Sequence, residues 1–185
     1  MESDKRWGEF ITTASAVFEE KGVENTTIND ITSRMGVARS LFYHYFDDKN
    51  ALVNAVIDER VDDFVAKMSQ WMNSEDRVDQ RERIGQAVKL VREYLTVEDP
   101  FNSTADSKDN GRLLHQFTDQ CAARLAKRYS DRWEQEGASA PNVRHPQESF
   151  YLVSVGIINL LNKDPNISDD ILIDLVADTL HIEGA

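Results

Sequence analysis

The sequence has little cysteine: Cys121 is the one thiol in 185 residues. That excludes an intrachain disulfide and fits a reducing compartment. Four prolines and eight glycines leave little room for linkers or low-complexity tracts. No apolar run is long enough to span a membrane. The best, Phe150 to Leu161, is short and interrupted by Ser154 and Asn159, so no membrane partner is expected. The first residues are charged, so no secretory leader is expected and the location is read as cytoplasmic. The four histidines, His44, His115, His145 and His181, are scattered, and Cys121 has no second ligand at metal-binding spacing. There is no phosphate-cradling glycine loop and no nucleophile elbow. No metal, cofactor or catalytic residue is therefore assigned, and the chain is not expected to be an enzyme.

Positive charge is lacking too. The formal net charge is −12, which repels nucleic acid at long range. The first fifty residues do not escape: Lys5, Arg6, Lys21, Arg34, Arg39 and Lys49 stand against nine acids. Any binding to DNA must then come from a few placed contacts, since only a docking face needs to be positive.

What is present is helical periodicity. At 41% hydrophobic and 29% charged residues the composition is that of an ordinary globular chain of one or two domains. A first helix is expected from about Asp4 to Glu20, with Trp7, Phe10, Ile11, Ala14, Val17 and Phe18 in one apolar stripe. Gly22 ends it. Thr27 can cap a second short helix, with Asp30 three residues on to complete a capping box. Ile28, Ile31 and Met35 then fall on one face, and Gly36 tolerates the left-handed turn that stops the helix. From about Ala38 a third helix can bury Leu41, Phe42 and Tyr45 or Phe46, while Arg39, Ser40, Tyr43 and His44 point out. A helix, a glycine turn and a helix with an outward polar face is the helix-turn-helix layout, whose second helix enters the DNA major groove.

The residues from about Phe10 to Leu52 resemble the DNA-binding signature of the tetracycline-repressor (TetR) family of bacterial transcription regulators. The resemblance rests on Ala14, Ala16 and Phe18, the Lys21-Gly22 break, Thr26-Thr27, Gly36-Val37, Phe42-Tyr43-His44-Tyr45-Phe46 and Lys49-Asn50-Ala51-Leu52. Thr32, where the family usually has Ala, and Asn50, where an acid is common, depart from the pattern. By position, the resemblance implies DNA contacts at Arg39, Ser40, Leu41, Tyr43, His44 and Tyr45. The guanidinium of Arg39 suits guanine O6 and N7, about 1–3 kcal/mol of discrimination per good pair; the alternative is a surface ion pair with a nearby acid. Leu41 either presses on a thymine methyl or packs. Tyr43, His44, Lys49 and Thr27 suit phosphate.

A fourth helix is expected from Asp48-Lys49 to Met72 or Asn73, and a fifth from Arg77 to Thr96. Val97 to Asn110 reads as a loop, and Gly111 to Glu136 as a long helix or helix pair. The segment 147–162 is apolar nearly all round, and 168–182 carries the last helix. No β-alternating segment of any length appears. The chain is read as all-α, with a three-helix helix-turn-helix head (1–49) and a helical effector-binding and dimerisation bundle (50–185). The last two helices carry more apolar surface than one small bundle needs; the resemblance implies that they pair with a second copy. It also implies an effector pocket in the bundle, with candidate walls Phe64, Met68, Trp71, Tyr94, Phe101, His115, Phe117, Cys121 and Tyr151, plus Asn159 as a polar member. Aromatics at helical spacing are otherwise simply core. The expected function is a ligand-responsive dimeric regulator, a repressor of a palindromic operator released by a small molecule. The rivals are a helical binding module without DNA affinity and an all-α enzyme.

Overall fold

A computed structural model describes residues 2–74, 79–97, 108–136 and 143–182, with side chains at 5–74, 79–95, 111–132 and 143–182. Phe101, and most of the expected loop 97–110, lie outside the described residues. All regular elements among those described are α-helices: α1 Glu2–Lys21, α2 Ile28–Arg34, α3 Arg39–Tyr45, α4 Lys49–Met72, α5 Gln80–Val97, α6 Lys108–Glu136, α7 Pro146–Lys163 and α8 Asp169–Leu180. None of these helices is long and apolar enough to cross a membrane.

The chain divides into two compact units, Met1–Val61 with Asp99–Phe117, and Asp62–Glu98 with Thr118–Ala185. The division falls inside α4, whose first turns, with Leu52, Val53, Val56 and Ile57 buried, belong to the first unit.

In the first unit α1 ends where Gly22 takes φ +77° and donates its N–H to Phe18 O at 2.8 Å. The Thr26 hydroxyl donates to Gly22 O at 2.8 Å, so a terminal carbonyl gains a donor from the connection itself. α2 opens with the capping box: Thr27 Oγ1 accepts from Asp30 N at 3.2 Å, and Asp30 Oδ2 accepts from Thr27 N at 2.8 Å. Gly36, at φ +66°, closes α2, and Val37 N donates back to Thr32 O at 3.0 Å. The core behind this turn is aromatic. Phe10 meets Phe42 and Phe46 edge to face at 5.9 and 5.8 Å between ring centres, and all three are buried. Such pairs add about 0.5–1.5 kcal/mol each beyond their burial.

In the second unit α5, α7 and α8 pack on one another. Two arginines of α5 staple α8 and the turn before it. Arg92 donates to Asp169 at 3.0 Å and to the carbonyl of Ile167 at 2.6 Å; Arg81 pairs with Asp174 at 2.7 Å and Asp170 at 3.1 Å. Ser168 caps α8, accepting from Asp170 N at 3.3 Å.

Candidate nucleic-acid interface and ligand cavity

Helix α3 is seven residues long and too short to hold itself in water. Phe42 and Phe46, locked against Phe10, fix its roll, and everything on its other side follows from that. Arg39, Ser40, Tyr43 and His44 lie exposed on one face, at the i, i+1, i+4, i+5 spacing of a helical stripe. Leu41 and Tyr45 flank it half-buried, Tyr45 with its ring 5.7 Å from Phe10. The face thus brings together six of the eight residues nominated for DNA.

Arg39 is held in place on this face. Its Nη2 donates to the Tyr43 hydroxyl at 2.9 Å, and its guanidinium carbon lies 5.7 Å from the Tyr43 ring centre. Tyr43 is itself set edge-on to Phe42 at 5.3 Å. The head's other two arginines are consumed by acids: Arg6 by Glu9 at 2.7 Å and Arg34 by Glu20 at 2.6 Å. Among the described residues Arg39 pairs with no carboxylate, so Tyr43 and not a surface ion pair holds it. Its outer N–H groups remain available to a ligand.

The same pairs temper the acidity of the head. Glu9, Glu20 and Asp30 are engaged by Arg6, Arg34 and Lys21. Asp30 is the most strongly held: Lys21 Nζ at 2.7 Å, then the Thr27 hydroxyl and N–H, keep its carboxyl well below the usual carboxylate range.

The two remaining nominees are placed differently. The Thr27 hydroxyl is spent on the capping box, donating to Asp30 at 2.7 Å. Lys49 is turned inward. Its ammonium donates to the carbonyls of Val23 at 2.9 Å, Thr26 at 3.0 Å and Glu24 at 3.4 Å. It ties the start of α4 to the α1–α2 connection and does not extend the face of α3.

The second unit holds an apolar cavity of about 130 Å³. Phe64, Met68 and Trp71 line it from α4, Val88 and Val91 from α5, Leu125 and Tyr129 from α6, Phe150, Val153, Ile157 and Ile158 from α7, and Val176 and Leu180 from α8. Three of the ten pocket nominees are therefore in its wall. Tyr94 is 4.8 Å from Phe64, ring to ring, outside the lining, as is buried Cys121. Tyr151 donates to Asp119 instead: α7 turns its 150, 153, 154, 157, 158 face to the cavity, and position 151 lies about 100° round the helix. Asn159 is exposed and bonded to Val155 O in its own helix at 2.8 Å. His115, exposed, and Phe117, buried, belong to the first unit. The wall residues not singled out from the sequence, Tyr129 and Phe150 foremost, are 3.8 Å apart ring to ring; only the apolar stripes of α6 and α7 hinted at them. No group of three His, Cys, Asp or Glu that could hold a metal occurs among the described residues.

Comparison with known proteins agrees with the head's geometry. Residues 10–56 match the tetR family of bacterial regulatory proteins. The chain is 29% identical over 92 residues to the HTH-type transcriptional activator FasR of Mycolicibacterium smegmatis, covering 50% of this chain and 41% of FasR. It is 32% identical over 66 residues to the HTH-type transcriptional repressor KstR2 of Rhodococcus jostii, covering 36% of this chain and 32% of KstR2. The chain thus matches less than half the length of these curated relatives. The whole fold is similar to a crystal structure of a TetR/AcrR-family transcriptional regulator from Thermobifida fusca, with TM-score 0.58 over 98% of this chain and 99% of that one, at 18% identity. At that identity the likeness shows the fold alone. The matched stretch contains the capping box, the Gly36 turn and all of α3, so it is the head, residues 10–56, that matches the tetR family of bacterial regulatory proteins.

Proposed function

We propose that the protein is a cytoplasmic, DNA-binding transcription regulator that reads an operator through α3. The observation that carries the reading is the exposed Arg39, Ser40, Tyr43, His44 face, backed by a rigid aromatic core and centred on an arginine with no acid partner among the described residues. Arg39 suits a guanine edge in the major groove, and Tyr43, Ser40 and His44 suit flanking bases and phosphates. Lys49 is left out of the contact set, because its N–H groups are directed at backbone carbonyls. Thr27 acts through the helix terminus that it caps.

Two-fold pairing through α7 and α8 completes the reading. Leu152, Ile171 and Leu175 are 65%, 51% and 42% exposed on these two helices, an apolar set that a second copy would cover. A dimer would offer two copies of α3 to a palindromic site. A small molecule in the second unit's cavity would favour a dimer state that fits the operator poorly and so release it, by differential affinity between states. Repression is the sign proposed; FasR is an activator and KstR2 a repressor, so both signs occur among the relatives.

Selection from a randomised duplex pool tests this, with the enriched duplexes sequenced and footprinted. A palindromic consensus with guanine at corresponding half-site positions is expected. Enrichment of no sequence over the starting pool, with folded protein, would favour a helical binding module without DNA affinity, the reading that the net charge of −12 supports.

A further inference from the structure

The cavity of the second unit constrains the chemistry of what enters it. No lining side chain is charged. Trp71 donates its indole N–H to Gln86 Oε1 at 3.2 Å, and Ser154 donates to Phe150 O at 2.9 Å, so these two polar groups are spent on protein. Tyr129 stays neutral at physiological pH, since burial pushes its phenol well above the ordinary value. Arg83 and Arg132 act electrostatically on that phenol. Both are held outside the lining, donating to Met72 O at 2.9 and 2.5 Å. An ion entering the cavity would shed water and meet no charged side chain in the wall itself; Arg83 lies behind the wall, 5.3 Å from the Trp71 ring centre, with its N–H groups directed at Met72 O and Ser74 O.

Size narrows the class further. About 130 Å³ is close to the roughly 150 Å³ of an engineered apolar cavity that stays dry and takes benzene or xenon. It is well below the roughly 300–1,000 Å³ of drug-sized sites. We propose that the cavity binds an uncharged hydrocarbon the size of one substituted benzene ring and rejects the same ring carrying a carboxylate or an ammonium. Its use as an effector site rests on the regulator reading above; its binding chemistry does not.

Toluene, benzoate and benzylammonium titrated into the full chain, followed by calorimetry and thermal shift, test the proposal. Toluene is expected to saturate one site, with both ions on the order of 100-fold weaker or worse. Leu125→Ala widens the wall and is expected to admit naphthalene, which the unaltered chain excludes. Ala87, from α5, also lines the cavity, and Ala87→Leu narrows the wall and is expected to weaken toluene by about tenfold or more. Should either variant fail to fold, the other and the ion comparison still decide. No saturable toluene binding overturns the proposal, as does benzoate binding as tightly as toluene by reaching Arg83 or Arg132. Toluene binding by protein that shows no selective DNA affinity supports the cavity assignment and counts against the regulator reading alone.

Discussion

Lys49→Met is the most informative single substitution in the head, because two roles for that lysine predict different losses. In the structure the ammonium has three N–H donors and directs them at three carbonyls, Val23 at 2.9 Å, Thr26 at 3.0 Å and Glu24 at 3.4 Å. The bonds are not equal. Val23 O keeps a second donor in Thr26 N–H at 3.3 Å, and Glu24 is exposed, so its carbonyl returns to water. Thr26 is almost fully buried, and its carbonyl loses the most. One charge-assisted bond to a part-buried acceptor is worth about 1.5–3 kcal/mol, and the exposed partners add little. Lys49→Met should therefore destabilise the protein by about 2 kcal/mol, which lowers Tm by about 4–8 °C for a chain of this size. Calorimetry or urea unfolding reads this directly. A phosphate-contacting lysine behaves otherwise: its loss costs little stability and flattens the salt dependence of DNA binding by about 0.9 per contact. Here the salt slope should not change. Lys49→Arg should fall between wild type and Met, since a planar fork matches three convergent carbonyls poorly. A flattened salt slope with unchanged Tm in Lys49→Met would refute the clamp.

Four further outcomes are expected. Tyr43→Phe keeps the ring but removes the 2.9 Å bond from Arg39; affinity for the selected duplex should fall about 3–10-fold while scrambled DNA is bound as before, and equal loss on both would mark Tyr43 as a phosphate contact only. Phe42→Ala should cost about 3–5 kcal/mol and abolish hydrogen-exchange protection of α2 and α3, whereas protection surviving intact would mean that the aromatic core does not hold the turn. Asp30 has a depressed carboxyl, chiefly through Lys21, so its contribution is present above the ordinary carboxylate pKa near ~4 and is lost as pH falls below that; NMR titration should find it ionised where other carboxylates have protonated, and Asp30→Asn should remove that part of the acid sensitivity. Leu175→Glu, on the exposed apolar set of α8, should weaken self-association by about tenfold or more in sedimentation equilibrium, and an unchanged dimer would place the interface elsewhere.

Local signals carried most of the fold. The Thr27–Asp30 box and the left-handed Gly36 are set by residues within a few positions of one another, and the structure holds both as the pattern reads. Helix ends were less legible: α5 begins at Gln80, three residues after the expected Arg77, and α6 is already helical at Lys108, three residues before the expected Gly111. End positions depend on what each terminus packs against, which no local window contains. Arg39–Tyr43 is an i,i+4 pair on a surface stripe, so its contact was available from spacing alone. Lys49 was not. Its partners lie 23 to 26 residues earlier, and a lysine beside a DNA-reading helix reads as a phosphate contact until the chain is folded. The cavity was legible as a set of stripes but not in phase. One residue of rotation separates Phe150, which lines it, from Tyr151, which reaches Asp119. Asn159, a polar residue on an apolar helix, found its partner in the turn before it.

In the proposed function the exposed face of α3 reads DNA through Arg39. Fluorescence anisotropy of the full chain on its selected duplex and on a scrambled duplex, at two salt concentrations and beside Arg39→Ala, tests it most directly. The expected result is tight binding to the selected duplex that weakens with salt, and a loss in Arg39→Ala of about 10-fold or more, corresponding to about 1–3 kcal/mol, with Tm unchanged. Equal affinity for both duplexes, or an Arg39→Ala variant that binds the selected duplex as tightly as the wild type, would contradict the account.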